Sequence, residues 1–286
     1  MSQGFFPDLS KFNNLVLASS IFLFYAGMEM MGIHVMDVKN PSRNYPKAII
    51  IGSLVTVLIF ILGTFSLGLI IPAKDISLTQ SLLVGFDNYF HYLHMSWAGP
   101  IIAIALMFGV LAGVLTWVAG PSKGIFAVGK AGYLPPFFQK TNKNGVQLNI
   151  LIIQGCIVTL LSSLYIVMDD VSVAFFLLSA LTVGLYLIMY MMMYAAGIRL
   201  RYTQPKLIRS YRVPGGNTGM WLIGGVGFLA VLFSFLVPFF PPSQLPVGSP
   251  ATYTWLVVTG TAVFLAIPFI ISFAMDKRNA RRTPEA

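Results

Sequence analysis

The sequence predicts an all-α integral membrane protein with seven transmembrane helices. Three observations carry that expectation. Of the 286 residues, 57% are hydrophobic and 9% charged, where a soluble domain carries roughly a quarter charged residues. The mean hydropathy is +0.80. The apolar residues gather into seven runs, most of them near the ~20 residues that cross a ~30 Å hydrocarbon core.

In chain order the runs are 15–36, 48–71, 98–120, 148–168, 171–200, 220–240 and 253–275. The first is interrupted between Gly27 and Gly32. The fifth is longer than a span requires, so it should tilt or project beyond the bilayer. Only Asp169 and Asp170 separate the fourth and fifth, which implies a tight helical hairpin. Between the second and third runs, Leu78, Leu82, Phe86 and Phe90 recur at helical spacing among Asp87, Asn88, His91 and His94. That pattern reads either as an interfacial helix packed on the bundle or as an outer lid over a pathway. The segment 121–145 is rich in Gly, Lys and Pro and is expected to form a short cytoplasmic helix ending at Pro135-Pro136. The Pro-rich, uncharged 238–250 suits a stiff connection. No internal repeat is evident.

The loop charges give an orientation. Alternate loops hold 16 of the 18 basic residues: Lys39 to Lys47, Lys123 to Lys143, Arg199 to Arg212 and Lys277 to Arg282. The other loops hold only Lys11 and Lys74, together with Asp8, Asp75, Asp87, Asp169 and Asp170. The positive-inside rule then puts the N-terminus outside and the C-terminus in the cytoplasm. The same placement accounts for the net charge of +9 without a nucleic-acid partner. The single cysteine, Cys156, lies in an apolar run, so a disulfide framework or thiolate metal site is not expected. Met1 to Asp8 lacks the basic start of a secretory leader.

Glu29 is the one acidic residue inside any of the seven runs. A charge at membrane depth costs several kcal/mol on most scales, and such residues mark substrate or ion pathways. Desolvation favours the neutral form of a carboxyl, and one that gains and loses its proton on opposite sides is a natural proton-coupling element. The competing reading is a Glu that only caps the broken helix. Such a break is tolerated where it is buried in protein or lines a cavity. Its free N–H groups near Met30 to Gly32 would favour an anionic substrate group. Trp117 lies near the end of the third run. Tyr186 and Tyr190 share a helix face, being four apart. These aromatics suit either a lined pathway or ordinary packing and interfacial anchoring. Gly109 and Gly113 have GxxxG spacing, which permits close helix contact. His34, His91 and His94 lack the clustered partners of a metal site. No nucleophile–base constellation or phosphate-binding loop is present, so neither enzymatic activity nor a cofactor is expected.

Phe24-Tyr25-Ala26-Gly27-Met28-Glu29, followed by Asp37-Val38-Lys39-Asn40-Pro41-Ser42-Arg43-Asn44-Tyr45-Pro46-Lys47-Ala48-Ile49, closely resembles the amino acid–polyamine–organocation (APC) transporters. That family has an interrupted sixth helix and then a cytoplasmic Asn-Pro…Pro-Lys-Ala-Ile linker. Pro121-Ser122-Lys123 through Lys130-Ala131-Gly132-Tyr133-Leu134-Pro135 is similar to its loop after the eighth helix. The likeness runs from about Phe5 to Phe273.

The resemblance implies a fold of twelve helices on an inverted repeat of five plus five. The seven runs would be helices six to twelve, with the first repeat missing. The single transmembrane domain 1–286 would comprise the second repeat, 1–200, and two trailing helices with a short tail, 201–286. It implies substrate binding at Gly27, Met28, Glu29 and Met30, with Trp117, Tyr186 and Tyr190 lining the pathway. It further implies an antiporter of the bacterial inner membrane that exchanges external glutamate for internal GABA in acid resistance. Its partners would be amino acids, the lipid bilayer and a missing N-terminal half, without which this chain is expected to be inactive. Another APC amino acid or amine antiporter is the alternative within the superfamily. A non-transporting seven-helix protein, receptor or assembly partner, is the alternative from another class. No run holds a lysine for a retinal Schiff base, and a glycine-broken Glu helix is a transporter feature.

Overall fold

A computed structural model of the chain describes residues 14, 27–72, 80–168, 171–209, 211–240 and 249–280. After a turn at Gly27, a 3₁₀ segment covers Met28–Asp37. The helices that follow are α1 (Pro41–Ile70), α2 (Ser81–Tyr92), α3 (Ala98–Lys130), α4 (Leu148–Ser162), α5 (Leu164–Val167), α6 (Val171–Thr203), α7 (Gly216–Leu236) and α8 (Pro250–Ala280). Short 3₁₀ turns occupy Pro136–Gln139 and Val237–Phe239.

Among the described residues, six helical spans are long and apolar enough to cross a membrane: Pro41–Ile70, Ala98–Lys130, Leu148–Val167, Val171–Thr203, Gly216–Phe239 and Pro250–Met275. They coincide with the second to seventh apolar runs. Most of the first run, 15–36, lies outside the described residues, as do Asp169, Asp170 and most of the 238–250 connection. The described part of that first run is a turn at Gly27 followed by a 3₁₀ segment.

One expectation is corrected. The segment 121–145 does not hold a separate short helix ending at Pro135-Pro136. Helix α3 instead continues through Pro121 to Lys130, and Pro136 opens a 3₁₀ turn. Proline removes one i→i−4 hydrogen bond, a loss that membrane helices tolerate when neighbouring groups compensate. The stop comes at Gly132, whose φ of +90° suits glycine. Gly132 N–H bonds Gly129 O at 2.9 Å and Tyr133 N–H bonds Val128 O at 3.3 Å, the paired closure of a Schellman motif.

The expected amphipathic helix before α3 is present as α2, with Leu78 outside the described residues. It ends in the same motif: His94 takes the left-handed position at φ +54°, and Met95 N–H bonds Phe90 O at 2.8 Å. The linker before α1 also follows its sequence. Asn40 adopts φ +49°, a conformation its short polar side chain tolerates. Pro41 fills the first helical position, where a missing N–H costs nothing.

The chain divides into two compact units. The first gathers 160–280 with residues 27–29 and 38–46. Its core lies on α6, where Ala174, Leu177, Ala180 and Leu187 are buried. Leu177 and Ala180 pack with Tyr253 and Val257 of α8. Small residues bring the helices together: Gly224 lies against Ile198, Gly227 against Tyr194, and Gly260 against Leu181. In lipid such contacts act through van der Waals packing, because the tails are as apolar as the helix surface.

The second unit holds 30–37 and 47–159. There α2 seats Gly85 against Leu67 of α1, a site where a Cβ would meet Leu67 Cδ2 at 2.2 Å. Gly109 and Gly113, spaced for close helix contact, face open space, with nothing within 4 Å of an added Cβ.

Candidate functional site

The site begins with backbone geometry. Gly27 holds φ at +103°, a conformation L side chains rarely adopt. The ten residues that follow are 3₁₀ rather than α. Runs of 3₁₀ beyond three or four residues are uncommon and often mark a hinge or strain. Glu29 falls in the first turn of this segment. A carboxylate there faces the N–H groups that a helix start leaves without internal partners.

Helix α6 supplies the opposing groups. Tyr186 and Tyr190 stand one turn apart, half-buried, with ring centroids 6.0 Å apart and planes at 55°. The Tyr190 hydroxyl donates to Glu29 Oε2. Gly27 N–H donates to the same Oε2 at 3.1 Å and to Tyr190 Oη at 3.3 Å. Tyr186 lies within interaction range of the same carboxylate. Glu29 Oε1 is buried and has no hydrogen-bond partner among the described residues. One oxygen is therefore fixed by a phenol and a backbone amide. The other is an acceptor without a donor among the described residues.

The structure thus brings Gly27, Glu29, Tyr186 and Tyr190 together within the first unit. The expected binding break begins at Met28, two residues before the half-helix start read from the sequence at Met30. Its Gly27 N–H is occupied by the protein's own Glu29 carboxylate rather than left for an anion. Met28 is half-buried at the head of the segment. Met30 belongs to the second unit, where its methyl packs on Gly120 of α3: a Cβ at Gly120 would sit 2.4 Å from Met30 Cε. Trp117, one turn before Gly120, is also in that unit and is 44% exposed. Gly120 was not singled out in the sequence. Its position three residues after Trp117, in the same apolar run, is the signal that could have found it.

Comparison with known proteins gives the family. A family profile described as amino acid permease matches residues 1–264. A glutamate/gamma-aminobutyrate antiporter of Lactococcus lactis subsp. lactis is 35% identical over 280 residues, covering 96% of this chain and 56% of that protein. An uncharacterised transporter of Legionella pneumophila is 35% identical over 272 residues, covering 95% of this chain and 59% of the relative. A probable agmatine/putrescine antiporter of Lactococcus lactis is 22% identical over 232 residues, covering 80% of this chain and 49% of the relative. The chain therefore spans about half to three-fifths of the length of these relatives. These relatives are named as transporters and antiporters, not enzymes. With six apolar spans, a glycine-broken segment carrying a buried carboxyl, and a profile that matches nearly its whole length, this chain is a multi-pass membrane protein and belongs to the amino acid permease family of the APC superfamily.

Proposed function

We propose that the complete protein is an amino acid antiporter that exchanges extracellular glutamate for intracellular GABA across a bacterial inner membrane. The observation that carries the reading is Glu29: a carboxyl with Oε2 held by Tyr190 and Gly27, and with Oε1 buried and unpartnered among the described residues, at the head of a 3₁₀ segment. The substrate pair comes from relatives at 34–35% identity that are named glutamate/gamma-aminobutyrate antiporters. Exchange of a less protonated acid for its decarboxylated product would remove cytoplasmic protons, which suits acid resistance.

In this reading the residue 1–200 portion acts as one repeat of the transport core and 201–286 as trailing helices. The N-terminus lies outside and the C-terminus inside. Glu29 serves as the proton-coupling group, with Tyr190 and Tyr186 holding it and Met28, Met30 and Trp117 contributing to the substrate path. The relative named as an agmatine/putrescine antiporter, at 22% identity, favours a second reading of the same mechanism with an amine pair.

The test is counterflow in proteoliposomes containing the complete protein. Vesicles loaded with GABA should accumulate labelled glutamate, and vesicles loaded with putrescine should not. Uptake driven by putrescine and agmatine instead would transfer the assignment to the amine pair. Exchange of neither pair would sink both readings.

A further inference from the structure

Outside the Glu29 site, the first unit carries a cleft of about 780 Å³ on the flank of α6 and α7. Ala195, Ile198 and Arg199 of α6 form one wall, and Trp221, Leu222 and Leu229 of α7 belong to the other. The two helices run antiparallel, with Tyr194 against Gly227 and Ile198 against Gly224, and that contact uses a different face of α7. The cleft face recurs at 218, 221–222, 225–226 and 228–229, one stripe of an α-helix. Gly225 and Ala195 supply the concavity; Trp221, Leu222, Val226 and Leu229 are each more than half exposed. From Thr218 to Leu229 the stripe is about 16 Å long at 1.5 Å per residue, the scale of an acyl chain within one leaflet.

The chemistry changes sharply at one end. Arg199 and Thr218 line the cleft there, beside Trp221, whose indole N–H donates to Tyr202 Oη at 2.8 Å. Paired Trp and Tyr with polar tips mark the headgroup level of a bilayer. Two neighbouring arginines bond backbone carbonyls instead. Arg201 bonds Val213 O at 3.0 Å, and Arg209 bonds Leu200 O and Gln204 O at 2.8 and 2.9 Å. Arg199 has no carboxylate partner among the described residues, and no Asp or Glu occurs between Asp170 and Asp276. The apolar trough therefore leads to a guanidinium that no described carboxylate pairs, at headgroup depth. We infer that this cleft is a binding site for one anionic phospholipid, its acyl chain along Leu222 to Leu229 and its phosphate on Arg199 and Thr218. Guanidinium pairs with phosphate through parallel N–H bonds, and a basic residue near the membrane surface favours anionic over zwitterionic lipid.

The cleft contains its own reporter. In a variant retaining Trp221 with Trp97, Trp117 and Trp255 replaced by Phe, brominated phosphatidylglycerol diluted into phosphatidylcholine vesicles should quench Trp221 beyond its mole fraction. The expected preference is about fivefold over brominated phosphatidylcholine. Arg199→Gln should bring the ratio to about one. Gly225→Leu keeps the guanidinium but fills the trough, and should also lower the preference. Quenching by brominated phosphatidylcholine in each variant reports membrane insertion, and a variant retaining only Trp255 should show no preference. Equal quenching by the two lipids at Trp221, or a preference that survives both substitutions, would overturn the site. Lipid retained through detergent purification and counted by native mass spectrometry gives a second measure. Phosphatidylglycerol held by the unsubstituted protein and lost in Arg199→Gln is expected; no difference between them counts against the site.

Discussion

The two oxygens of Glu29 are treated differently by the protein. Oε2 takes a phenol and an amide, while Oε1, in a buried position, has no partner among the described residues. A buried acceptor without a hydrogen bond costs about 1–3 kcal/mol, a cost relieved when a proton or ligand arrives. If Glu29 carries the coupled proton, Glu29→Gln in the complete protein should flatten the pH dependence of exchange while leaving expression intact. An unchanged pH profile would leave Glu29 as a cap for the break and nothing more. Tyr190→Phe separates positioning from protonation. It removes one donor to the carboxylate, a bond of about 1.5–3 kcal/mol, and one of the two acceptors for Gly27 N–H. Exchange should fall roughly tenfold or more, with a pH profile that moves rather than flattens. Glu29 and its glycines were legible in the sequence because an acid in an apolar run is anomalous on its face. That Tyr190 meets the carboxylate was not legible, since a helix period places Tyr186 and Tyr190 on one face without saying what that face meets.

At the scale of the helix, small residues decide spacing, but only where a neighbour is present. Gly219 sits in the first turn of α7, its N–H bonded to Gly215 O at 2.9 Å, and a Cβ there would lie 1.9 Å from Pro214 O. Backbone cannot swing aside as a side chain can. Gly219→Ala should therefore unwind that turn and destabilise the protein by about 2 kcal/mol or more, read as a lower midpoint in thermal unfolding in detergent. Gly109→Ala and Gly113→Ala have open space around them, and each should be neutral or gain up to ~1 kcal/mol from helix propensity. A marked loss of stability in either would show that the GxxxG face is in fact packed. The contrast explains which elements the sequence disclosed. Length and hydropathy specify the spans from α1 to α8 closely, because bilayer thickness sets both. The apolar run 98–120 ends about ten residues before α3 does, because the helix continues past Pro121. The Schellman closure at Gly132 is the stronger signal, since it satisfies the last carbonyls where Pro121 merely omits one donor.

For the whole molecule, the basic residues are the feature that local packing does not explain. Sixteen of eighteen fall in alternate loops, and few are tied down: Arg201 and Arg209 bond backbone carbonyls, while Lys143 and Lys206 stand exposed. Helix packing gains nothing from that asymmetry. Insertion into a membrane does, because Lys and Arg near the ends of a span resist translocation. Were successive spans to cross in alternating directions, a single orientation would satisfy every loop at once, and a reversed one would violate every loop at once. Cys156 is exposed and must be replaced before any thiol probe is used. In a Cys156→Ser background, Lys143→Cys and Lys206→Cys should resist a membrane-impermeant maleimide in intact cells and react once the membrane is opened. Tyr92→Cys, at a residue 81% exposed at the end of α2, should react from outside. Labelling of Lys143→Cys or Lys206→Cys in intact cells, together with protection of Tyr92→Cys, would invert the topology. It would then require the 16-to-2 bias to be overridden by sequence outside these spans. A mixed result, with Lys143→Cys protected and Lys206→Cys labelled, would mean that one of the intervening spans, α4 or α6, does not cross.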